Sequence, residues 1–243
     1  MPQTGVEGMN RFSFLVLSLL PFFSHFRGTP HQLAAISELE DSLPEELLKE
    51  DAAWFEAWKA SGIAQQVVVP YFHQLDNESG QGYRECFSSS MGMISAFYGK
   101  VKTDDQYNRI RSRFGDTTSI SAQVNTLRSL GLHAEFRQDG DGSLIEAEIA
   151  AGRPVAVGWL HRGDMSRGEP PMCDSYGCGH WSVIVGFDKE NWTINDPRGT
   201  PLMERGGHSR YGGRNVKVSR QAFKQRWEVE GPGTGWVILV DDE

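Results

Sequence analysis

The run Gly179-His180-Trp181-Ser182-Val183-Ile184-Val185-Gly186-Phe187-Asp188 is a histidine followed by an apolar, β-branched segment. Such composition predicts a buried strand over 180–187, with the histidine ring near the strand end. After a short polar turn, 191–196 has the composition of an antiparallel partner. If the two segments pair as a hairpin, Asp196 falls opposite the start of the first strand and within reach of His180.

The second decisive stretch lies about 94 residues upstream of His180 and begins with the isolated Cys86. A loop-like approach over 80–85 precedes it. Apolar side chains then recur at helical spacing up to Tyr98, and Gly99 is a typical stop. The pattern therefore predicts a helix that begins at the cysteine. The positive end of a helix, together with a base, favours the thiolate and lowers a thiol pKa.

Cysteine, histidine and aspartate thus follow one another in the order nucleophile, base and orienting residue. A lone cysteine before a helix is more often a small buried residue, and a lone histidine before a strand is usually structural. The joint order and spacing favour the chemical interpretation. The sequence predicts a thiol hydrolase in which Cys86 attacks, His180 is the base and Asp196 orients it.

Four blocks of the chain together resemble the peptidase C39-like family, relatives of the bacteriocin-processing double-glycine-leader peptidases in the papain-like superfamily. The blocks are Val68 to Asn77, Glu85-Cys86 with its small-residue helix, Gly179 to Gly186, and Asn195-Asp196-Pro197. The resemblance covers roughly residues 66–240. It implies an α+β papain-like fold, with a nucleophile helix at the N-terminal side packed on an antiparallel sheet.

The same resemblance implies that Gln74 is the side-chain donor of the oxyanion hole, with Gln81 as the alternative. Such a donor stabilises the negative charge of a tetrahedral intermediate, and its loss typically costs about a hundredfold in rate or more. The chain departs from the family pattern at Phe87, where many relatives have glycine. The backbone near the nucleophile is therefore expected to differ.

The other two cysteines, Cys173 and Cys178, flank a short segment just before His180. They are expected to form a disulfide or to remain as two free thiols. A metal site that includes them and the Cys86–His180 pair is disfavoured, because it would consume the catalytic residues. The sequence thus predicts no metal and no cofactor, and any single bridge between Cys173 and Cys178 leaves Cys86 free.

The length and net charge of the chain limit the kinds of partner and the size of domain that it can have. The chain has 243 residues, a net charge of −8 and a pI near 5.4, and it carries no basic stripe. These values argue against a nucleic-acid partner. Residues 64–243 are expected to form the catalytic domain, with enough apolar and aromatic content to bury a full core.

The N-terminal 63 residues divide into two further segments. Residues 1–30 contain an apolar run too short for a stable membrane span and similar to a signal-peptide core, although no clear cleavage site follows. Export and a location in the cytoplasm or with a phage both remain open. Residues 31–63 form a predicted amphipathic helical extension, for which a packing helix, a pro-segment and a partner-binding arm are the alternatives.

Two long polar loops, 161–179 and 204–214, are expected beside the site, where substrate selection is normally built. Trp159, Tyr176 and Trp181 are candidates for the walls of a peptide cleft, with core or rim positions as the alternative. The predicted substrate is a peptide or protein cleaved through a thioester. A peptidoglycan stem peptide, acyl transfer and a non-catalytic binding protein are the alternatives.

Overall fold

The described structure, a computed structural model, covers residues 65–173 and 179–242. The predicted segments 1–30 and 31–63 lie outside the described residues. The strands are β1 Gln65–Gln66, β2 His133–Gly140, β3 Val155–Leu160, β4 Gly179–Phe187, β5 Asn191–Asn195, β6 Val216–Ser219 and β7 Gly235–Asp241. The α-helices are α1 Cys86–Phe97, α2 Asp104–Arg111, α3 Ile120–Ser129, α4 Gly142–Ala150 and α5 Arg220–Trp227.

The described strands form one antiparallel sheet in the order β2-β7-β3-β4-β5-β6, with β1 paired to β4. The α+β prediction is therefore confirmed, with helices on an antiparallel sheet. Helices α2, α3 and α4 each begin at a side-chain cap: Thr103, Ser119 and Asp141 each accept the backbone N–H of the residue three positions on. Gly140 ends β2 and Gly142 opens α4, so that Asp141 alone separates the two elements.

Helix α1 packs against one face of the sheet. Its residues Met91 and Ile94 are buried in a cluster with Trp181, Val183 and Val185 of β4. Because side chains alternate along a strand, His180 and Ser182 belong to the opposite face. Trp159 lies on that face, edge-on to His180 with ring centroids 5.2 Å apart.

The β4–β5 hairpin is present but contains a one-residue register shift. Phe187 faces Trp192, whereas Val183 faces Asn195, with the shift between Ile184 and Gly186. A one-residue slip moves a side chain to the other face of a sheet. The bulge therefore brings the residue after Asn195, which is Asp196, to the His180 and Ser182 face.

Arg226 of α5 organises the two loops beside the strand ends. The residue is fully buried. Its guanidinium donates to five backbone carbonyls, those of Leu160 (3.2 Å), Arg162 (2.9 Å), Gly163 (2.8 Å), Met203 (2.5 Å) and Glu204 (3.4 Å). A single side chain thus joins the segment after β3 to the segment around 203–208.

Replacing Arg226 with methionine should lower the free energy of unfolding by about 3 kcal/mol or more, because several buried carbonyls lose their donor. The matched control is Arg109→Met, whose side chain is 63% exposed in an ion pair with Glu78 and should change stability by less than about 1 kcal/mol. Urea unfolding followed by tryptophan fluorescence measures both. Equal effects of the two substitutions would contradict this role for Arg226.

Candidate active site

Cys86 is the first residue of α1, as its sequence context predicts. The preceding Glu85 is buried, and its carboxylate accepts hydrogen bonds from Asn77 Nδ2 and Ser79 Oγ, both at 2.8 Å. One turn into the helix, Ser89 Oγ donates to Asp104 Oδ2 at 2.6 Å. These contacts fix the start of the helix against the loop that precedes it and against α2.

Phe87 stands where glycine was expected and makes its own contact across the site. Its ring stacks parallel on Trp181, with centroids 3.9 Å apart, and both side chains are buried. Trp181 directly follows His180 in β4. The aromatic pair therefore joins the residue after the nucleophile to the residue after the histidine, so the departure from the family pattern is accommodated by packing.

His180 and Asp196 meet in the interior. His180 Nε2 lies 2.9 Å from Asp196 Oδ2, and the two residues are 1% and 0% exposed. Ser182 Oγ also donates to Oδ2 at 2.8 Å, and the backbone N–H of Arg198 donates to Oδ1 at 2.9 Å. The carboxylate is therefore saturated with donors, which is how a buried charge is retained.

The electrostatics of this pair follow from burial and proximity. Burial alone would raise the pKa of Asp196, but the imidazoles of His180 and His208 hold it well below its usual range. Burial lowers the pKa of His180, although Asp196 opposes the shift. The structure thus favours a charged aspartate beside a neutral imidazole.

The thiol pKa moves against the expectation from the helix terminus. Burial raises the pKa of Cys86 to about 11, although backbone hydrogen bonds from Trp181 and Phe87 act in the opposite direction. The expected lowering is therefore wrong for the free protein, because loss of water around the sulfur outweighs the N–H groups. The resting site holds a neutral thiol and a neutral imidazole.

The two glutamines have different environments. Gln74 is 1% exposed, and its Nε2 donates to Gly82 O at 2.6 Å. Its backbone N–H donates to Pro197 O at 2.8 Å, next to Asp196. Gln81 is exposed, and its Oε1 accepts from Tyr83 OH at 3.0 Å. Only Gln74 is linked to the segment that holds Asp196.

The two described aromatic candidates are packing residues rather than cleft walls. Trp159 and Trp181 are 2% and 6% exposed. Trp159 Nε1 donates to Ser182 Oγ at 2.9 Å, so it positions a hydroxyl that in turn contacts Asp196. Their burial favours the core position that the sequence left as the alternative to a cleft wall. Tyr176 lies outside the described residues.

The structure gives the bonding state of two of the three cysteines. Cys86 is a free, partly exposed cysteine. Cys173 is disulfide-bonded, and its expected partner Cys178 lies outside the described residues. Cys173 is therefore not available as a metal ligand.

Two histidines that the sequence did not single out also border the site. His161 stacks on His180 with ring centroids 5.6 Å apart, and His208 lies 4.3 Å from His180 by the same measure. One ring nitrogen from each of the three lies within 4.8 Å of the others. Both added histidines are in loops, where no periodic pattern marks them.

A model of the Peptidase_C39 like family matches residues 67–232 of this sequence. The chain belongs to that family. Membership identifies it as a cysteine-type peptidase. A search of curated proteins finds no significant match. Among the described residues of this C39-like peptidase, no helix is both long and apolar enough to span a bilayer.

Solved structures give the corresponding fold comparison. A Bacillus anthracis protein described as a C39-like peptidase aligns with 73% of this chain and 98% of its own, at 16% identity and a TM-score of 0.50. A double-glycine-motif protease from an AMS/PCAT transporter, solved with its leader peptide, aligns over 72% and 93% at 19% identity and a TM-score of 0.44. The first of these likenesses supports the papain-like fold.

The raised thiol pKa predicts the pH dependence of alkylation. Only the thiolate reacts, so the rate of Cys86 modification by iodoacetamide in the folded protein should rise about tenfold per pH unit from pH 7 to 10, with no plateau. When the same protein is unfolded in guanidinium without reductant, its alkylation rate should be half-maximal near pH 8.5, the ordinary thiol pKa, and constant well above it. Mass spectrometry measures both. A plateau below pH 7 in the folded protein would instead indicate a preformed thiolate–imidazolium pair.

The Phe87–Trp181 stack predicts a coupling energy of about 0.5–1.5 kcal/mol in unfolding, beyond the effects of the single substitutions. A double-mutant cycle with Phe87→Leu and Trp181→Leu measures it by urea denaturation. The control cycle pairs Phe87→Leu with Trp192→Leu. Trp192 lies in β5 opposite Phe187, at the far end of β4 from Trp181, so the two changes should add within about 0.5 kcal/mol. Additivity in both cycles would show that the stacking geometry is energetically unimportant.

Proposed function

We propose that this C39-like peptidase cleaves peptide bonds with Cys86 as nucleophile, His180 as general base and acid, and Asp196 as the residue that orients the imidazole. The observation that carries the proposal is the 2.9 Å contact between His180 Nε2 and Asp196 Oδ2 inside a buried, donor-saturated pocket. A histidine that donates Nε2–H to a carboxylate has its lone pair on Nδ1. That nitrogen is then free to take a thiol proton.

The reaction follows from these protonation states. As Cys86 Sγ bonds to the scissile carbonyl carbon, its proton passes to His180 and the carbonyl oxygen gains negative charge. Collapse of the tetrahedral intermediate breaks the carbon–nitrogen bond, and His180 returns the proton to the leaving amine. Water, deprotonated by His180, then attacks the thioester and releases the acid and the thiol.

Asp196 supports both half-reactions by stabilising the imidazolium that forms in each. Its pKa is held well below the usual range, so it remains charged throughout. Because the resting thiol and imidazole are both neutral, proton transfer must accompany sulfur attack. Such a pair avoids separated charges in a desolvated site until substrate is bound.

The oxyanion is proposed to accept from Gln74 and from backbone N–H at the start of α1. The Gln74 amide uses one N–H on Gly82 O, and the amide carries a second. The hydrogen bond from its backbone N–H to Pro197 O, beside Asp196, supports this role. Gln81 is exposed and engaged by Tyr83, which makes it the weaker candidate.

The proposal predicts that Cys86→Ala and His180→Ala lower the cleavage of an internally quenched peptide library by roughly 10⁴-fold or more, and Asp196→Asn by roughly 10³-fold. Gln74→Ala should lower kcat by about a hundredfold with a smaller effect on KM. His133→Ala is the matched control, since this exposed histidine pairs with Asp241 at the start of β2 and should leave the rate unchanged.

Mass spectrometry of the products locates the cleaved bond, and purified peptidoglycan is tested in parallel. Cleavage of linear peptides supports a protein or peptide substrate. Clearing of peptidoglycan with no cleavage of linear peptides would assign the same triad to stem-peptide amides. Undiminished cleavage by Cys86→Ala would overturn the proposed nucleophile.

A further inference from the structure

The histidine cluster of His161, His180 and His208 is more than the proposed peptidase chemistry requires. A cysteine peptidase site needs one histidine, whereas here one ring nitrogen from each of three lies within 4.8 Å of the others. Imidazole is the commonest protein ligand for zinc-class ions. The two extra rings therefore call for a separate explanation.

His208 has no hydrogen-bond partner that explains its position. Its side chain is only 2% exposed, yet neither Nδ1 nor Nε2 makes a hydrogen bond. Nε2 lies 3.3 Å from Asp196 Oδ2 without hydrogen-bond geometry. His161 Nδ1 is likewise buried and unpartnered. A buried polar atom without a hydrogen-bond partner is costly, and a bound ion is one way in which such an atom is satisfied.

The surrounding charge suits a cation. Asp196 is charged and lies 2.9 Å from His180 Nε2 and 3.3 Å from His208 Nε2. Neutral imidazoles next to a carboxylate are the donor set that zinc-class ions prefer.

We propose that His161, His180 and His208 form a binding site for a divalent transition-metal ion of the zinc class, and that the bound ion inhibits the peptidase by occupying His180. The inhibitory part rests on the proposed function of His180, whereas metal binding does not. Tetrahedral coordination with bonds of about 2.0–2.1 Å needs nitrogens roughly 3.4 Å apart. The rings must therefore close by at most about 1.4 Å, and closing them breaks no hydrogen bond of His208.

The loops that carry the two extra ligands are held together independently of any metal. Arg226 binds the carbonyls of Arg162 and Gly163 on one side and those of Met203 and Glu204 on the other. Gly207 N also donates to His161 O at 2.6 Å. The site is therefore prepared by the fold, which lowers the cost of ordering ligands on binding.

The test uses the full chain carrying Cys86→Ala. In this variant no Zn²⁺ ion can be held by the Cys86 thiolate together with His180, so any binding is due to other ligands. Isothermal titration with Zn²⁺ should show one ion per chain. Adding His161→Gln or His208→Gln should weaken binding at least tenfold, whereas adding the distant His133→Gln should not. Loss of all binding in Cys86→Ala, or equal binding by every histidine variant, would overturn the site.

Visible absorption of bound Co²⁺ provides a readout that does not depend on the histidine variants folding. In Cys86→Ala the spectrum should be that of tetrahedral nitrogen and oxygen coordination, without a thiolate charge-transfer band. A weak octahedral spectrum would overturn the proposal. If Zn²⁺ binds Cys86→Ala but leaves peptide cleavage by the wild type unchanged, the inhibitory part is overturned while the triad is judged by its own variants.

Discussion

The buried carboxylate of Asp196 is the constraint on which the rest of the site depends. It receives Ser182 Oγ, His180 Nε2 and the Arg198 N–H, and removing one partner of a buried charge typically costs about 3–5 kcal/mol. Its backbone is equally engaged, since its N–H donates to Gly213 O and its carbonyl accepts from Tyr71 OH. Strand ends and loops must therefore converge on one residue for this charge to be buried at all.

The segment around Cys86 is held by a different hydrogen-bond network, and a backbone hydrogen bond connects this network to the one around Asp196. A second buried carboxylate, that of Glu85, holds the start of α1, because it accepts hydrogen bonds from Asn77 and Ser79. The bond from Gln74 N to Pro197 O then connects this loop to the residue after Asp196. The relative positions of the thiol and the carboxylate thus depend on this backbone bond together with the Phe87–Trp181 stack.

Sequence patterns predicted the parts of the structure that depend on local chemistry. Gly99 ends α1 with a φ of +70°, and β-branched residues formed β4 as their composition indicated. The bulge between Ile184 and Gly186 was not predictable, because register is set by packing on both faces. His208 was missed for a related reason: its loop is held in place by Arg226, a buried arginine of α5 that is distant in sequence. The sign of the Cys86 pKa shift likewise depends on tertiary desolvation, which helix position alone does not determine.

The neutral resting state has a consequence for regulation. Catalysis needs the His180 lone pair to accept a proton, and coordination needs a lone pair of the same ring, so the proposed metal and the proposed reaction exclude one another. The free ion concentration would therefore decide how much of the peptidase retains an available base.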